Sequence, residues 1–396
     1  MFEKLILPYK GLSKEVWLMA LTTLINRTGA MVLPFMSLYL TNFLGFSKGQ
    51  VGWVLTCYGI GSLIGVFVGG KLTDRIGYYK VMFVSLFCTS LVFFGLQFIS
   101  DFYAFCLGIF VLTTFADTFR PAVWVALDDY SKPENRTRSV TLIRLAINLG
   151  FSMGPALGGI LITYVSYRSL FWVDGLTCFA AGLVILLFLN QKSAVKTREE
   201  QMSTKQLSPY KDSHYLIFWF ALFLIGFTFV QYFSTIPLYY SQRLGLEEDK
   251  IGLMLAMNGL LIFLTEMPVV NTLDKGKLDN LKIVIAGSFL LMFSFLILNM
   301  GNWLGFAIFG IILMTFGEML GFPFSNSYAL DRSKMGRQGA YMALYSMSFS
   351  VAHILGPNIG MQFSERFGFE STWYLMGVTC LVAAIILIWL QRKEQS

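Results

Sequence analysis

Six ionisable side chains fall inside stretches of sequence that are otherwise apolar, and they are the first candidates for chemistry: Arg27, Arg120, Arg144, Asp117, Glu266 and Glu318. A guanidinium in hydrocarbon is costly unless it faces water or a charged partner. A carboxyl group in an apolar setting favours its protonated form, so it can pick up and release a proton. These residue types therefore point to ion pairing, to binding of a charged ligand, or to proton transfer.

Arg27 differs from the other two arginines because the stretch Thr23-Leu24-Ile25-Asn26-Arg27 carries no acid. It needs either a partner from another helix or an anionic ligand, and we predict a substrate-binding role for it and for Asn26. Asp117 and Arg120 lie three residues apart, so they can neutralise each other on one helix. Aromatic surface suits a hydrophobic or cationic substrate, so we add Tyr39 and Tyr232 to the predicted substrate site. Arg144, the third arginine within an apolar stretch, completes it.

The two glutamates have no cation on their own predicted helices. We predict proton coupling at Glu318 first and at Glu266 second, with His353 as a further relay group. Two structural alternatives stay open. The ionisable groups can be ion pairs that hold helices together, and His353 can simply satisfy a neighbouring hydroxyl or carbonyl group.

The composition places these residues in a membrane, because 56% of the chain is hydrophobic and only 13% is charged. Soluble domains carry about 25% charged residues. We count about twelve runs near the ~20 residues that span a bilayer as a helix. They lie near 16–41, 50–69, 80–99, 102–125, 139–164, 169–189, 214–238, 251–271, 282–300, 303–325, 339–363 and 371–391.

The distribution of polar residues predicts how these helices are arranged. A polar stretch at 191–213 separates an N-terminal bundle of six helices at 1–190 from a C-terminal bundle of six at 214–396. Lysine and arginine concentrate in alternate loops, which predicts that both termini are cytoplasmic. The net charge of +7 lies largely in these loops, so a nucleic-acid partner is not expected. The five cysteines show no metal-ligand spacing, and we expect no metal and no cofactor.

The stretch from Gly70 to Lys80 resembles a motif of the major facilitator superfamily. Gly70-Lys71-Leu72-Thr73-Asp74-Arg75-Ile76-Gly77-Tyr78-Tyr79-Lys80 matches the family pattern Gly-x-Leu-x-Asp-Arg-x-Gly, which two basic residues usually follow. Tyr78 and Tyr79 replace that basic pair. The resemblance implies an all-α integral membrane fold with about twelve helices in two pseudo-symmetric six-helix bundles. It also implies gating roles for Gly70, Asp74, Arg75 and Gly77, with turns expected at both glycines.

The fifth predicted helix carries a second family feature, Gly154-Pro155-Ala156-Leu157-Gly158-Gly159, which resembles the antiporter motif of drug:proton antiporters. A weak repeat of it occurs at Gly356-Pro357-Asn358-Ile359-Gly360. The stretch from Asp117 to Ala122, followed by Pro133 to Arg136, is similar to bacterial multidrug members of that group. We assign gating roles to Gly154, Pro155, Asp117 and Arg120.

The resemblance implies a proton-coupled exporter of amphipathic compounds that works by alternating access in the bacterial cytoplasmic (inner) membrane. Its partners would be a small-molecule substrate, protons and lipid, with a monomer as the unit. An enzyme is not expected, and the sequence lacks the Gly-x-x-x-x-Gly-Lys-Ser/Thr phosphate loop of a nucleotide-driven pump.

A proton-coupled importer of a small polar nutrient, such as a short peptide, is the alternative. The stretch from Thr23 to Arg27 aligns with a Glu-x-x-Glu-Arg segment of peptide transporters, although Thr23 and Asn26 replace both glutamates. A receptor or scaffold that transports nothing would have less use for six ionisable residues in the bilayer.

Overall fold

A computed structural model describes residues 12–132, 135–189, 208–275, 278–334 and 338–395, and the regular elements in these ranges are helices. We number the α-helices α1 Lys14–Thr28, α2 Val32–Leu38, α3 Lys48–Ile76, α4 Tyr78–Leu96, α5 Phe102–Tyr130, α6 Arg136–Tyr164 and α7 Arg168–Phe188. They continue as α8 Ser213–Phe229, α9 Thr235–Gln242, α10 Glu248–Lys275, α11 Asn280–Leu296, α12 Leu304–Ser333 and α13 Gln338–Gln395. Short π or 3₁₀ turns follow α2, α8 and α11.

Eleven helical segments of the described chain are long and apolar enough to cross a membrane. One of them, Ala340–Glu394, has 55 residues and contains Gly368 with a φ of 80°. A straight helix of that length would measure about 80 Å, whereas the hydrocarbon core is about 30 Å thick. The segment therefore forms two spans that meet at Gly368. The prediction of about twelve membrane helices is confirmed.

The first and seventh spans are interrupted, unlike the predicted continuous runs. The first is α1 followed by α2, and the seventh is α8 followed by a 3₁₀ turn and α9. Buried side chains replace the missing helical hydrogen bonds. Asp174 accepts from the backbone amides of Met31 and Val32 at 3.0–3.2 Å. Gln231 donates to the Phe227 carbonyl of the seventh span at 3.2 Å and to the Gly356 carbonyl of another helix at 2.7 Å.

The turn expected at Gly70 is absent, because Gly70 lies inside α3. The chain turns at Gly77, whose φ of 84° is a conformation that glycine adopts without strain. Helix α3 thus extends its polar last turns, with Asp74 and Arg75, beyond the apolar run that sets the predicted end at residue 69. The prediction of a turn at Gly70 is wrong because helical hydrogen bonding does not stop where hydrophobicity stops.

Contact density divides the chain into two compact units. The first contains the described residues of Met1–Tyr39, Cys57–Glu199 and Glu248–Leu260, and the second those of Leu40–Thr56, Glu200–Glu247 and Leu261–Ser396. The core of the first unit includes Val16, Met82 and Ile143. The core of the second includes Phe295 stacked near Trp373. The division into bundles at 1–190 and 214–396 stays a prediction, and residues 191–207 of its linker lie outside the described ranges.

Candidate functional site

Arg27 lies in the last turn of α1, immediately before the interruption of the first span. Its side chain is half-buried, and its guanidinium carbon lies 5.4 Å from the ring centroid of Phe151 on α6, within cation–π range. Gly150 makes this approach possible, because a Cβ atom there would overlap the Cβ of Arg27. The sequence therefore places a cation beside an aromatic ring in the membrane interior of the first unit.

Asp117 and Arg120 form the ion pair that their spacing predicts, with 3.0 Å between Oδ1 and a guanidinium nitrogen. The Asp117 side chain is 9% exposed, and its other oxygen accepts a hydrogen bond from Ser62 on α3. The Arg120 side chain is 49% exposed. Asp117 is therefore engaged by two partners, and its charge is balanced by Arg120.

Asp174 is a buried acid of the first unit that the sequence analysis missed, although it also interrupts an apolar run. Both of its oxygens accept from the amides that begin α2. Four residues further along α7, Cys178 accepts a hydrogen bond from Asn26 at 3.4 Å. Asp174 thus caps a helix, and Asn26 joins α1 to α7, one residue before Arg27.

The other predicted substrate residues have different surroundings. Arg144 is exposed on α6. Tyr39 is 1% exposed, and its ring packs 5.0 Å from that of Phe171. Tyr232 is also 1% exposed, and its hydroxyl donates to the Gly310 carbonyl at 3.3 Å. This burial favours packing roles for the two tyrosines, and their roles in binding stay predictions.

Glu266 and Glu318 lie on neighbouring helices of the second unit at the same level. The Thr265 hydroxyl on α10 lies 3.4 Å from the Met319 sulfur on α12, so the residues directly beside the two glutamates touch. Both glutamates are half-buried. The structure therefore brings together the helix positions of the two acids predicted to exchange protons.

His353 lies at this level as well. Phe322, one turn after Glu318, packs edge-to-face on Phe349 with 5.2 Å between centroids. His353 lies one turn after Phe349 on α13, which runs antiparallel to α12. Glu318 and His353 therefore both lie about one turn from the Phe322–Phe349 ring pair, on the side toward the start of α12. The exposed His353 ring has Nδ1 at 2.8 Å from the Phe349 carbonyl oxygen, which can only accept, so Nδ1 donates.

The predicted gating residues Gly154 and Pro155 lie on a seam of α6 that is packed on both sides within the first unit. On one side, a Cβ atom on Gly154 would lie 3.2 Å from the Thr28 carbonyl oxygen. On the other, a Cβ atom on Gly252 of α10 would overlap the Pro155 carbonyl oxygen. The Ser152 hydroxyl also donates to the Ala256 carbonyl at 3.2 Å. The small residues thus allow α6 to contact the first span and α10 simultaneously.

The charged residues of the first motif face water, since Asp74 and Arg75 are both exposed in the last turn of α3. Among the described residues, no group of three or more His, Cys, Asp and Glu side chains is arranged to hold a metal ion. The ionisable residues within the apolar spans therefore remain the candidate functional site.

Comparison with known proteins agrees with this architecture. The sequence model of the Major Facilitator Superfamily matches residues 16–357 and 244–396. The uncharacterized MFS-type transporter YqjV of Bacillus subtilis (strain 168) is 25% identical, over 93% of this chain and 91% of its own. Multidrug resistance protein 1 of the same organism is 23% identical, over 86% of this chain and 89% of its own.

Solved structures show the same fold. A mutant of the peptide transporter POT in complex with sulfate superposes with a TM-score of 0.82 at 14% identity, covering 97% of this chain and 96% of its own. The nucleoside transporter NupG has a TM-score of 0.78 at 13% identity, covering 96% and 99%. At these identities the likeness shows the fold alone. The family match extends along nearly the whole chain, which belongs to the Major Facilitator Superfamily and is a multi-pass membrane transporter rather than an enzyme.

Proposed function

We propose that this transporter lies in the bacterial cytoplasmic membrane and exports amphipathic compounds across it in exchange for protons, by alternating access. Both termini would face the cytoplasm, and a monomer would be the working unit. The observation that carries the proposal is the common level of Glu318, Glu266 and His353 in the second unit. The similarity to Multidrug resistance proteins 1 and 2 of Bacillus subtilis supports an amphipathic substrate class.

The chemistry follows from the half-buried position of the two glutamates. A carboxyl group that is exposed to each side of the membrane in turn can take up a proton on one side and release it on the other. Glu318 therefore takes up a proton when the site opens to the side with the higher proton concentration. It releases that proton when the site opens to the other side, where water stabilises the carboxylate. Coupling requires that substrate and proton favour opposite openings of the site.

Opening requires contacts that break and re-form. The seam around Gly154 and Pro155 supplies such contacts, because backbone atoms, small residues and one hydroxyl meet there at close range. Small-residue packing depends on close backbone approach, so it is lost over a small displacement. We assign Gly154, Pro155 and their partner Gly252 to this switching contact.

Proteoliposomes that contain the purified protein and an internal pH dye test the proposal. Addition of a lipophilic drug on one side should drive protons in the opposite direction, and Glu318→Gln should abolish this movement. Asp331→Asn is the matched control, because Asp331 lies on the same helix but is 60% exposed and paired with Lys334. Drug-dependent proton movement that survives in Glu318→Gln would remove Glu318 from the coupling mechanism.

Import of a small polar nutrient is the second candidate, and the surroundings of Arg27 favour it. A half-buried guanidinium stacked on Phe151 suits a substrate with an acidic group, as a peptide has. The same proteoliposomes separate the two functions. Protons that move in the direction of the added substrate indicate symport, whereas protons that move against it indicate antiport.

A further inference from the structure

We propose that Arg27 and Phe151 form a binding site for the acidic group of an amphipathic organic acid. The substrate's carboxylate would pair with the Arg27 guanidinium, and its apolar or aromatic body would lie against Phe151. This inference rests on the proposed function, because it narrows the proposed amphipathic substrates to those with an acidic group. It excludes compounds that are purely cationic from this part of the site.

The first step of the argument is that no protein acid neutralises Arg27. Within the ranges that the structure describes, its guanidinium forms neither an ion pair nor a hydrogen bond, and it lies over the Phe151 ring at 5.4 Å from the centroid. An unpaired guanidinium in the membrane interior has five N–H donors to satisfy. Water in a cavity satisfies some of them, and an anion satisfies them with its charge as well.

The second step is that the neighbouring carboxylates are already engaged. Asp117 holds Arg120 at 3.0 Å and also accepts from Ser62. Asp174 accepts from two backbone amides of α2. The charges of Arg120 and Asp117 act on Arg27 in opposite senses, so the pair neutralises little of its charge. One positive charge is therefore left for a ligand to balance.

The third step is that contacts of neighbouring residues, rather than of the Arg27 side chain itself, hold the backbone at Arg27 in place. Gly150 fixes the distance between α1 and α6 at Arg27, and the next residue on α6 is Phe151. The close contact and the aromatic surface are thus adjacent in sequence. Asn26 is tied to Cys178 on α7. The backbone at Arg27 is therefore already ordered before an anion binds to the guanidinium, so less conformational entropy is lost on binding.

The test is a binding measurement on the purified full-length protein in detergent, with no gradient present. The probes are indole-3-acetate, its neutral isostere indole-3-acetamide and the cation tryptamine, followed by ligand-dependent thermal stabilisation. We expect the acid to bind at least about tenfold more tightly than the amide, because a charge-assisted pair with arginine is worth more than a neutral hydrogen bond. Equal binding of the three probes by the wild-type protein overturns the proposal without any variant.

Two substitutions locate the site. Arg27→Gln should weaken binding of indole-3-acetate by about 10- to 100-fold and leave the amide unchanged. Phe151→Leu should weaken indole-3-acetate a few-fold and hexanoate less, because only the indole ring stacks. Arg138→Gln, which removes an exposed arginine near the start of α6, is the charge-matched control and should change neither. Undiminished acid binding in a folded Arg27→Gln protein contradicts the assignment.

This experiment is independent of the proton measurement. A protein that exchanges protons for a cationic drug but does not distinguish the acid from its amide would retain the proposed function and refute the Arg27 site. A protein that selects the acid through Arg27 but moves no protons would retain the site and refute proton coupling.

Discussion

The hydroxyl group of Tyr78 donates a hydrogen bond to the Asp129 carboxylate, with 2.6 Å between the oxygens. Tyr78 is the first residue of α4, and Asp129 lies in the last turn of α5. Tyr78 occupies the position where the family pattern has its first basic residue. Here a phenol that is 3% exposed is the donor to the carboxylate. A hydrogen bond to a carboxylate therefore connects the two helix ends.

We predict that Tyr78→Phe lowers the stability of the protein by about 1–2 kcal/mol, because it removes a hydrogen bond to a charged acceptor. The apparent Tm of the purified protein should fall, and the transport rate should fall with it. Tyr78→Arg should retain transport, since a guanidinium can donate to the same carboxylate.

Tyr79→Phe is the control for this prediction, because the Tyr79 hydroxyl makes long contacts of 3.5 Å to the Ile185 carbonyl and 3.3 Å to the Leu186 carbonyl. It should behave like the wild-type protein. Equal effects of Tyr78→Phe and Tyr79→Phe would show that the Asp129 hydrogen bond has no special role.

The two motif glycines should respond differently to substitution by alanine. Gly77 has a φ of 84°, which costs an L-residue about 1–3 kcal/mol. Gly70 is helical, and a Cβ atom there meets nothing within 4 Å, so Gly70→Ala should raise helix stability by up to about 1 kcal/mol. Thermal unfolding of the two variants checks both signs. Loss of transport in a stable Gly70→Ala protein would support the gating role that the motif implies for this glycine.

Hydrophobicity and spacing in the sequence predicted the parts of this structure that depend on neighbours along the chain. The membrane spans follow from runs of apolar residues, and the Asp117–Arg120 pair follows from their separation of three on a helix. Asp174, which caps α2, is 142 residues away from Val32 along the chain. No local sequence pattern encodes such a contact. Interruptions of the first and seventh spans depend on such distant partners, so continuous helices were predicted there.

An internal repeat in the sequence encodes the turns that follow the first and seventh spans. The stretch from Leu44 to Gly52 matches that from Leu244 to Gly252 in its first two residues, Leu-Gly, and in its last two, an aliphatic residue and Gly. The first glycine of each has positive φ, 72° at Gly45 and 65° at Gly245. The amides that follow bond to equivalent carbonyls, Phe46 to Leu40 and Leu246 to Tyr240. This repeat would have located the matching turns after the first and seventh spans.

Arg332 joins three chain segments at the polar end of the second unit. Its guanidinium binds both oxygens of Asp212 at 2.8–2.9 Å and Glu394 at 2.9 Å. The Asp212 side chain is 2% exposed and that of Arg332 is 18% exposed. We predict that Asp212→Asn destabilises the protein by about 3 kcal/mol, because it leaves a buried guanidinium with one partner fewer.

The pH dependence of this effect follows from the direction of the pKa shift. Burial by itself would raise the pKa of Asp212, but the hydrogen bonds from Arg332, the Tyr215 amide and the Tyr341 hydroxyl lower it below its usual value. The stabilisation is therefore fully present above about pH 4, the pKa of the unfolded carboxyl, and is lost as pH falls through the lower folded value. The difference in apparent Tm between wild type and Asp212→Asn should stay constant from pH 7 to 5 and shrink below pH 4.

Lys334 and Asp331 provide the surface control for the Arg332 cluster. They pair at 2.6 Å on the same helix, but their side chains are 74% and 60% exposed. Lys334→Gln should change stability by less than about 1 kcal/mol, as exposed pairs do. If Lys334→Gln and Asp212→Asn lower the apparent Tm equally, burial does not set the strength of these pairs.

Gly252 should control whether α6 and α10 stay in contact. A side chain there overlaps the Pro155 carbonyl oxygen and lies 3.2 Å from the Phe35 ring, so backbone rather than a flexible side chain must move. We predict that Gly252→Val separates the two helices and favours the state of the transport cycle in which this contact is broken.

The labelling experiment uses Thr163 at the end of the same contact, where its hydroxyl accepts a hydrogen bond from the Asp249 amide at 3.2 Å. A cysteine introduced as Thr163→Cys should therefore react several-fold faster with a membrane-impermeant maleimide when Gly252→Val is also present. Gly321→Ala is the control, because a Cβ atom at that helical glycine meets nothing within 4 Å. Equal labelling rates with Gly252→Val and Gly321→Ala would mean that the α6–α10 contact tolerates a side chain and is not a switch.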